Sequence, residues 1–523
     1  MTFSQMSFSQ KLQRSPYYFI EVLAVVLGAL IPFSFAPYNF FWLQFPLLAF
    51  LFLVCLEQKP GVAFRRGFLF GLGWFVHGIH WLFYSLHLHG GSPVFLAVLM
   101  VVILAAVLAL FPALAMYLSN RFIKTARVIV LLLVYPVALM LFEWLRGYVL
   151  TGLPWVQLGV AHVDTYLAGY APVIGALGMA LLALIVSGAL ALIALPYLGK
   201  KDNAKMSYIK ISLSVVFTIY LCGFALGLID WTKAVGDPLK VSLIQGNIPQ
   251  SEKWKRENYR PTLDMYHELS RANYHSDLII WPETAVPGFK SRIRSYLNTL
   301  TLEAAATKTD MLMGVFIRDQ QTGRYYNSVI TLDGQAYKKR HLVPLGEYFP
   351  FRPLMAFFSQ WINIPLSDID LGDKEQPLIK AAGQKIGVNI CFEDVFDRDV
   401  LLDLPEATLL VNVSNDAWFD ESPQPWQHHQ IARLRALETG RTLLRSTNTG
   451  VTAVIGPRGE VQGMIPQFKR AVLNAEVQGY KGSTPYVFWA NYLLITLGVV
   501  LLVFLYSRNR YFLSSADANV AKT

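Results

Sequence analysis

Apolar residues in this chain gather into runs of about 20, the length a helix needs to cross the hydrocarbon core of a bilayer. Seven such runs fall near 18–38, 40–56, 67–86, 93–118, 128–147, 166–195 and 211–229, and an eighth covers 487–507. Between 230 and 486 the pattern changes. Short β-rich runs (LKVSLIQGN, SDLIIWPE, MLMGVFI, YNSVITL, KIGVNICFED, TLLVNVSN, TAVIGP) alternate there with polar stretches of helical character. Several are apolar at nearly every position, as strands covered on both faces are. The pattern predicts a polytopic α-helical membrane domain of about eight transmembrane helices, with a layered α/β domain inserted before the last one. The expected boundaries are 1–229 for the first seven spans, 230–486 for the inserted domain, 487–507 for the last span and 508–523 for a polar tail. The first run lacks a clear small-x-small cleavage site and six further spans follow it, so it reads as a retained span and not a removed signal.

Composition agrees with a membrane chain. Apolar residues make up 54% and charged residues 15%, against typical soluble values of about 45–50% and about 25%. The net charge of +10 first suggests a polyanionic partner, but the basic residues sit in alternate loops. Lys11 and Arg14 precede the first span; Lys59, Arg65 and Arg66 follow the second; Arg121, Lys124 and Arg127 follow the fourth; Lys200, Lys201, Lys205 and Lys210 follow the sixth. Arg508 and Arg510 follow the eighth, whereas the loops after spans 1 and 3 carry no Lys or Arg. That alternation predicts N-in, C-in topology, with 508–523 cytoplasmic and 230–486 on the outer face, the periplasm of a bacterium. The charge is thereby accounted for without nucleic acid.

Three cysteines cannot build a disulfide framework. Cys55 and Cys222 fall inside predicted spans, and only Cys391 lies in the inserted domain. It follows the strand-like KIGVNI, at a strand end of the kind where layered α/β folds place active sites. A lone cysteine is ordinarily a small buried hydrophobe; without a partner in an oxidising compartment, it is better explained by function. A thiol nucleophile needs a base and a group that stabilises an oxyanion. Glu283, after the strand SDLII, is flanked by Trp281 and Pro282, which would desolvate its carboxylate as suits a base. Lys339, in YKKRHLVPLGE, would supply the cation. Taken singly, a glutamate before threonine is as well read as a helix cap, and a lysine in a basic run as a solvated face.

Together, WPETA at 281–285, YKKRHLVPLGEY at 337–348 and NICFED at 389–394 resemble, in order and spacing, the nitrilase superfamily of carbon–nitrogen hydrolases. With seven spans before this domain and one after it, the chain resembles that superfamily's membrane-bound apolipoprotein N-acyltransferase branch. QGNIPQSEKW at 245–254, NVSNDAWF at 412–419 and RALETGRTLLRSTNTG at 435–450 support the resemblance. It implies an α-β-β-α sandwich carrying Glu283 as general base, Lys339 as oxyanion partner and Cys391 as nucleophile. Lys339 is preferred to Lys338 because the family's lysine lies eight residues before the glutamate of Gly-Glu, here Glu347, which would hold it. Phe392 stands where the family commonly has Tyr, and Leu345 where it commonly has Phe. The implied reaction takes an acyl chain from a phospholipid, typically phosphatidylethanolamine, onto Cys391 as a thioester. The acceptor is the α-amine of a lipoprotein's diacylglyceryl-cysteine, and the implied compartment is the inner membrane.

Further substrate contacts are expected from Trp254, Trp418 and Glu393, and from the aromatic run after Glu347, whose Phe357 and Phe358 would dip into the membrane as a lid or else pack as core. Glu143 and Arg146, at the outer end of span 5, are candidates for a lipid headgroup or else snorkel to the interface. His77, His80, His87 and His89 lack the carboxylate or thiol company of a metal site, and His428 and His429 read as structural. No phosphate loop, dinucleotide fingerprint or zinc spacing is present, so neither cofactor nor metal is expected, and one chain is expected to suffice as a monomer. The alternatives are a membrane-tethered amidase using the same triad, and a transporter with an outer regulatory domain. Seven leading spans exceed what a tether needs, and the spans carry few polar residues and no internal repeat, which argues against both.

Overall fold

The computed structural model describes residues 17–198, 204–344, 346–348 and 369–520. Two compact units result: residues 81–98 with 230–488 in one, and the remainder in the other.

The second unit is helical. Among the described residues, four helical segments are long and apolar enough to span a bilayer: Val94–Phe122, Arg127–Arg146, Tyr166–Leu198 and Lys205–Gly227. Shorter apolar helices cover Tyr18–Ser34, Phe41–Cys55 and Tyr492–Arg508. The expected third span is displaced. Its helix runs Pro60–Gly78, not 67–86, because Pro60 sits in the first turn, where its missing N–H costs nothing. That early start brings two arginines into the helix, and both find partners: Arg65 pairs with Glu21 at 2.6 Å, and Arg66 donates to the Val54 carbonyl. Helices Tyr17–Leu30 and Pro60–Gly78 meet backbone to backbone. A Cβ on Gly28 would lie 1.9 Å from the Phe70 carbonyl oxygen, and one on Gly73 would lie 2.0 Å from that of Val25, so only glycine permits the approach.

The other unit is an α-β-β-α sandwich, and strand periodicity explains it. One six-stranded sheet has the order β12-β1-β2-β3-β4-β5 and the other β11-β10-β9-β8-β7-β6. The strands are β1 Thr232–Gln245, β2 Leu278–Ile280, β3 Asp310–Arg318, β4 Tyr325–Thr331, β5 Ala336–Lys338, β6 Ile379–Ala381, β7 Gln384–Ile390, β8 Leu409–Ser414, β9 Thr442–Thr447, β10 Thr452–Ile455, β11 Val461–Ile465 and β12 Ala471–Gly482. The three strands β1, β2 and β3 run parallel, as do β7, β8 and β9, with antiparallel strands outside each set.

Alternate residues of each strand face opposite layers. Val241, Leu243, Leu278, Ile280 and Leu312 meet Ile386, Val388, Ile390, Leu409, Val411 and Val413 between the sheets. Their neighbours Ile244, Ile279, Met311 and Met313 pack under Leu263 and Tyr266 of helix Tyr259–Arg271 and Leu300 of helix Arg294–Thr307. On the far side, Leu410, Leu443, Ala453 and Ile455 pack under Ala432 and Ala436 of helix Gln424–Thr439. Strands covered on both faces must be apolar throughout, which is why polar residues inside them stand out. Each full burial of such a side chain contributes about 1.5–3 kcal/mol.

Candidate active site

The C-terminal ends of β2 and β7 come together where the sheets face each other. After Ile280 turns inward, Trp281 turns outward: it stacks on Tyr266 at 4.9 Å and donates its indole N–H to Ser270 Oγ at 3.0 Å. The indole therefore belongs to the outer core and does not shield the carboxylate as expected. Glu283 is buried instead by polar partners. Asn327 Nδ2 donates to Oε1 at 2.7 Å, and the Asn415 backbone N–H donates to Oε2 at 2.9 Å. The turn is tight. Thr284 adopts φ 45°, and a Cβ on Gly314 of β3 would lie 2.3 Å from the Pro282 carbonyl oxygen. A β-branched residue in left-handed backbone is strained, so surrounding contacts must hold it.

Lys339 follows β5, and alternation separates it from its neighbour. Lys338 lies over the Tyr326 ring at 4.2 Å, while Lys339 is 1% exposed. The Lys339 ammonium lies 2.8 Å from Glu347 Oε1 and 3.6 Å from Glu283 Oε1. Asn327 bridges both carboxylates, donating also to Glu347 at 3.2 Å, and the Val343 N–H donates to the other Glu347 oxygen at 2.8 Å. Burial lowers the affinity of Lys339 for its proton, but Glu347 and Glu283 outweigh it and hold the ammonium above the ordinary lysine value.

Cys391, half-buried, begins the turn after β7 with φ 52°. Its carbonyl oxygen is 3.2 Å from both Asn412 Nδ2 and His428 Nε2. Burial pushes the thiol well above the ordinary cysteine value, as does the charge of Glu283, while Lys339 opposes them. The resting group is therefore a thiol, with the Glu283 carboxylate and the Lys339 ammonium both acting on it.

Glu393 is a correction to the expected substrate contact. It has no exposed surface, and its carboxylate accepts four bonds: from Ile390 N at 2.6 Å, Tyr337 Oη at 2.9 Å, Arg340 N at 2.6 Å and His341 N at 3.0 Å. It stands three residues after Ile390 and reaches back to that N–H, as a capping-box glutamate does. Glu143 and Arg146 are likewise 6% and 1% exposed. Glu143 accepts from Leu158 N at 3.0 Å, and Arg146 donates to the Trp155 carbonyl at 2.8 Å, so the pair holds the 147–158 loop and not a headgroup. Trp254 is 38% exposed, with its ring 6.1 Å from Phe316. Trp418 lies edge-on to His89 at 5.8 Å, and Phe419 edge-on to Trp81 at 4.9 Å. Phe392 packs edge-on against Phe396 at 5.0 Å. Leu345, Phe357 and Phe358 lie outside the described residues.

Three of the four histidines near span 3 bond to backbone carbonyls: His77 to Ala29, His80 to His77 and His87 to Ser92. His428 does more than fill space. Buried between Asp394 at 2.7 Å and Asp416 at 3.0 Å, it touches the Cys391 carbonyl, and Arg445 closes the network 3.0 Å from Asp416 and 3.4 Å from Asp394. Asn327, Asn412, Asn415 and Lys253 also escaped the sequence reading. The available signal was a polar residue inside an otherwise apolar strand, as in YNSVITL and TLLVNVSN.

A thiol, a carboxylate and an ammonium share this corner of the sandwich. Residues 240–486 match the carbon-nitrogen hydrolase family model, and residues 27–189 match that of the apolipoprotein N-acyltransferase N-terminal domain. The chain is 40% identical over 504 residues to an apolipoprotein N-acyltransferase of Methylococcus capsulatus, covering 96% of this chain and 98% of that one. It is 41% identical to the enzyme of that name from Nitrosomonas europaea (93% and 97% covered). It is 35% identical to that from Coxiella burnetii (92% and 99% covered).

Proposed function

Because the chain belongs to the apolipoprotein N-acyltransferase family, membrane enzymes that acylate lipoproteins, we propose that it works by a two-step transfer through a thioester on Cys391. The carrying observation is the Lys339 ammonium set between Glu347 and Glu283, beside a cysteine kept as thiol. In the first step, sulfur bonds to the ester carbonyl carbon of a phospholipid while Glu283 takes the thiol proton. Lys339 faces the oxygen that becomes negative. The ester C–O bond then breaks, Glu283 returns the proton to the departing lysophospholipid alkoxide, and the acyl group stays on sulfur. In the second step, the neutral α-amine of a diacylglyceryl-cysteine attacks the thioester, Glu283 accepts an amine proton, and the thiolate leaves and is reprotonated.

The membrane context supports this reading. Each CH₂ left in lipid is worth about 0.8 kcal/mol, so drawing an acyl chain into water would cost more than about 10 kcal/mol. An enzyme that handles two lipidated substrates therefore works where the chains remain in the bilayer. The alternating basic loops support N-in, C-in topology with the sandwich on the periplasmic side of the inner membrane. In this scheme residues 1–229 and 487–507 anchor a catalytic domain of residues 230–486, a monomer suffices, and Trp254 and Trp418 contact substrate. The test is reconstitution with phosphatidylethanolamine and a synthetic diacylglyceryl peptide bearing a free α-amine. Equal yields of lysophospholipid and N-acylated peptide are expected. Free fatty acid without acylated peptide, or ammonia released from small amides, would replace the transferase mechanism by hydrolysis.

A further inference from the structure

Lys253 is a second buried ammonium at this site, and the triad scheme has no use for it. It ends the short helix Gln250–Lys253 and is 2% exposed. Its Nζ donates to Thr284 Oγ1 at 2.6 Å and to the Glu283 carbonyl oxygen at 3.2 Å. These are the two residues of the tight turn that carries the base, and Thr284 is the one in left-handed backbone. The titratable groups facing the ammonium are Glu283, at the end of β2, and Cys391, after β7. Glu252 and Lys255, on its own segment, are exposed and pair with each other at 2.6 Å.

We infer that Lys253 is a positioning residue of the acyl-transfer site: its ammonium pins the Glu283–Thr284 turn and supplies a second positive charge that favours the Cys391 thiolate. The inference rests on the reading of Cys391 as nucleophile and Glu283 as base. Charge accounting gives it force. Two carboxylates, Glu283 and Glu347, stand against two ammoniums, Lys339 and Lys253, while Asp416, which also acts on the thiol, is paired with Arg445. The balance survives when the thiol proton moves to Glu283, because the thiolate replaces the carboxylate charge. Without Lys253, both forms carry one uncompensated negative charge at a site largely closed to water. Burial lowers the Lys253 ammonium to about 8 while Glu283 and Cys391 push it up, so the charge is present at neutral pH. Interaction between charges is mutual: a thiolate that favours the ammonium is favoured by it to the same extent.

The experiment follows the rate of alkylation of Cys391 by iodoacetamide at pH 7, where Lys253 is charged, and above pH 8, where it loses its proton, read by peptide mass spectrometry in Lys253→Gln, Lys253→Met and Lys253→Arg. Cys55 and Cys222 report separately on their own peptides. The glutamine keeps a donor but removes the charge, the methionine removes both, and the arginine keeps the charge. Both neutral variants are expected to react roughly tenfold more slowly than wild type at pH 7 and to close on it as pH rises past about 8, with Lys253→Arg close to wild type at pH 7. An unchanged rate at pH 7 in folded Lys253→Gln or Lys253→Met overturns the proposal. Loss of folded protein in both neutral variants, with Lys253→Arg intact, overturns the positioning role and makes the charge a requirement of the fold. Acyl adducts from phosphatidylethanolamine are measured in parallel. Wild-type protein that is alkylated at Cys391 yet never gains an acyl mass refutes the acyl-transfer reading instead.

Discussion

Glu393→Gln is nearly isosteric and isolates what the buried carboxylate does. All four of its contacts are donors: Ile390 N–H and Tyr337 O–H on one oxygen, Arg340 N–H and His341 N–H on the other. An amide has only one oxygen, so its NH₂ must face at least one backbone N–H, whichever way it is flipped. If the NH₂ replaces the first oxygen, the orphan is Ile390, whose ψ leads directly into the strained Cys391. One orphaned buried donor costs about 1–3 kcal/mol, and the bonds that remain lose their charge assistance, for a total near 3 kcal/mol. A domain of this size loses about 2–4 °C per kcal/mol, so the melting temperature should fall by about 6–12 °C. With its preceding N–H unpaired, Cys391 should also lose alignment, and single-turnover acylation should drop at least about tenfold with KM for phospholipid unchanged. A substrate contact would behave otherwise. An unchanged melting temperature with a raised KM would refute the assignment of Glu393 to holding the turn.

Two further outcomes follow from the same geometry. Asn327→Leu removes the donor shared by Glu283 and Glu347 and should slow acylation by about ten- to a hundredfold with little change in KM; a loss below threefold (about 0.6 kcal/mol) would deny the bridge a role. His428 titrates above the ordinary imidazole value of 6.5, because Asp394 and Asp416 outweigh burial and Arg445. A raised histidine stabilises the fold fully below its unfolded value and loses that contribution as pH rises through its folded value. Thermal stability should therefore decline above about pH 6.5 in the wild type and decline less in His428→Gln, as parallel melting curves would show.

The layered α/β domain was legible because its strands are covered on both faces, as in KIGVNI and TLLVNVS, whereas the α-β-β-α arrangement of those layers came from the resemblance alone. Sheet order was not legible, since nothing local in β1 says that it will sit between β12 and β2. The third span was shifted because a hydropathy window starts after Arg65 and Arg66, whereas the helix starts at Pro60 and gives those arginines partners in Glu21 and the Val54 carbonyl. At the site, Glu283, Lys339, Glu347 and Cys391 were visible as motif residues. Their supports were not, because each partner is remote in sequence: Asn327 lies 44 residues from Glu283 and Asn415 lies 132 residues away. Glu393 was misread because strand parity ends at Cys391; the chain enters a 3₁₀ turn there, which swings the carboxylate back beneath its own strand. Glu143 and Arg146 were misread because the backbone groups of Leu158 and Trp155, which bond to them inside the protein, belong to a loop with no signature of its own.

The proposed mechanism passes through a covalent acyl-enzyme on Cys391. Intact-protein mass spectrometry after incubation with phosphatidylethanolamine tests it directly, with Cys391→Ala as the control. A mass increase equal to one acyl group, removed by neutral hydroxylamine and absent from the folded Cys391→Ala protein, is the predicted result. Folded wild-type enzyme that acylates a diacylglyceryl peptide yet never carries that mass, or carries it equally in Cys391→Ala, would contradict the account.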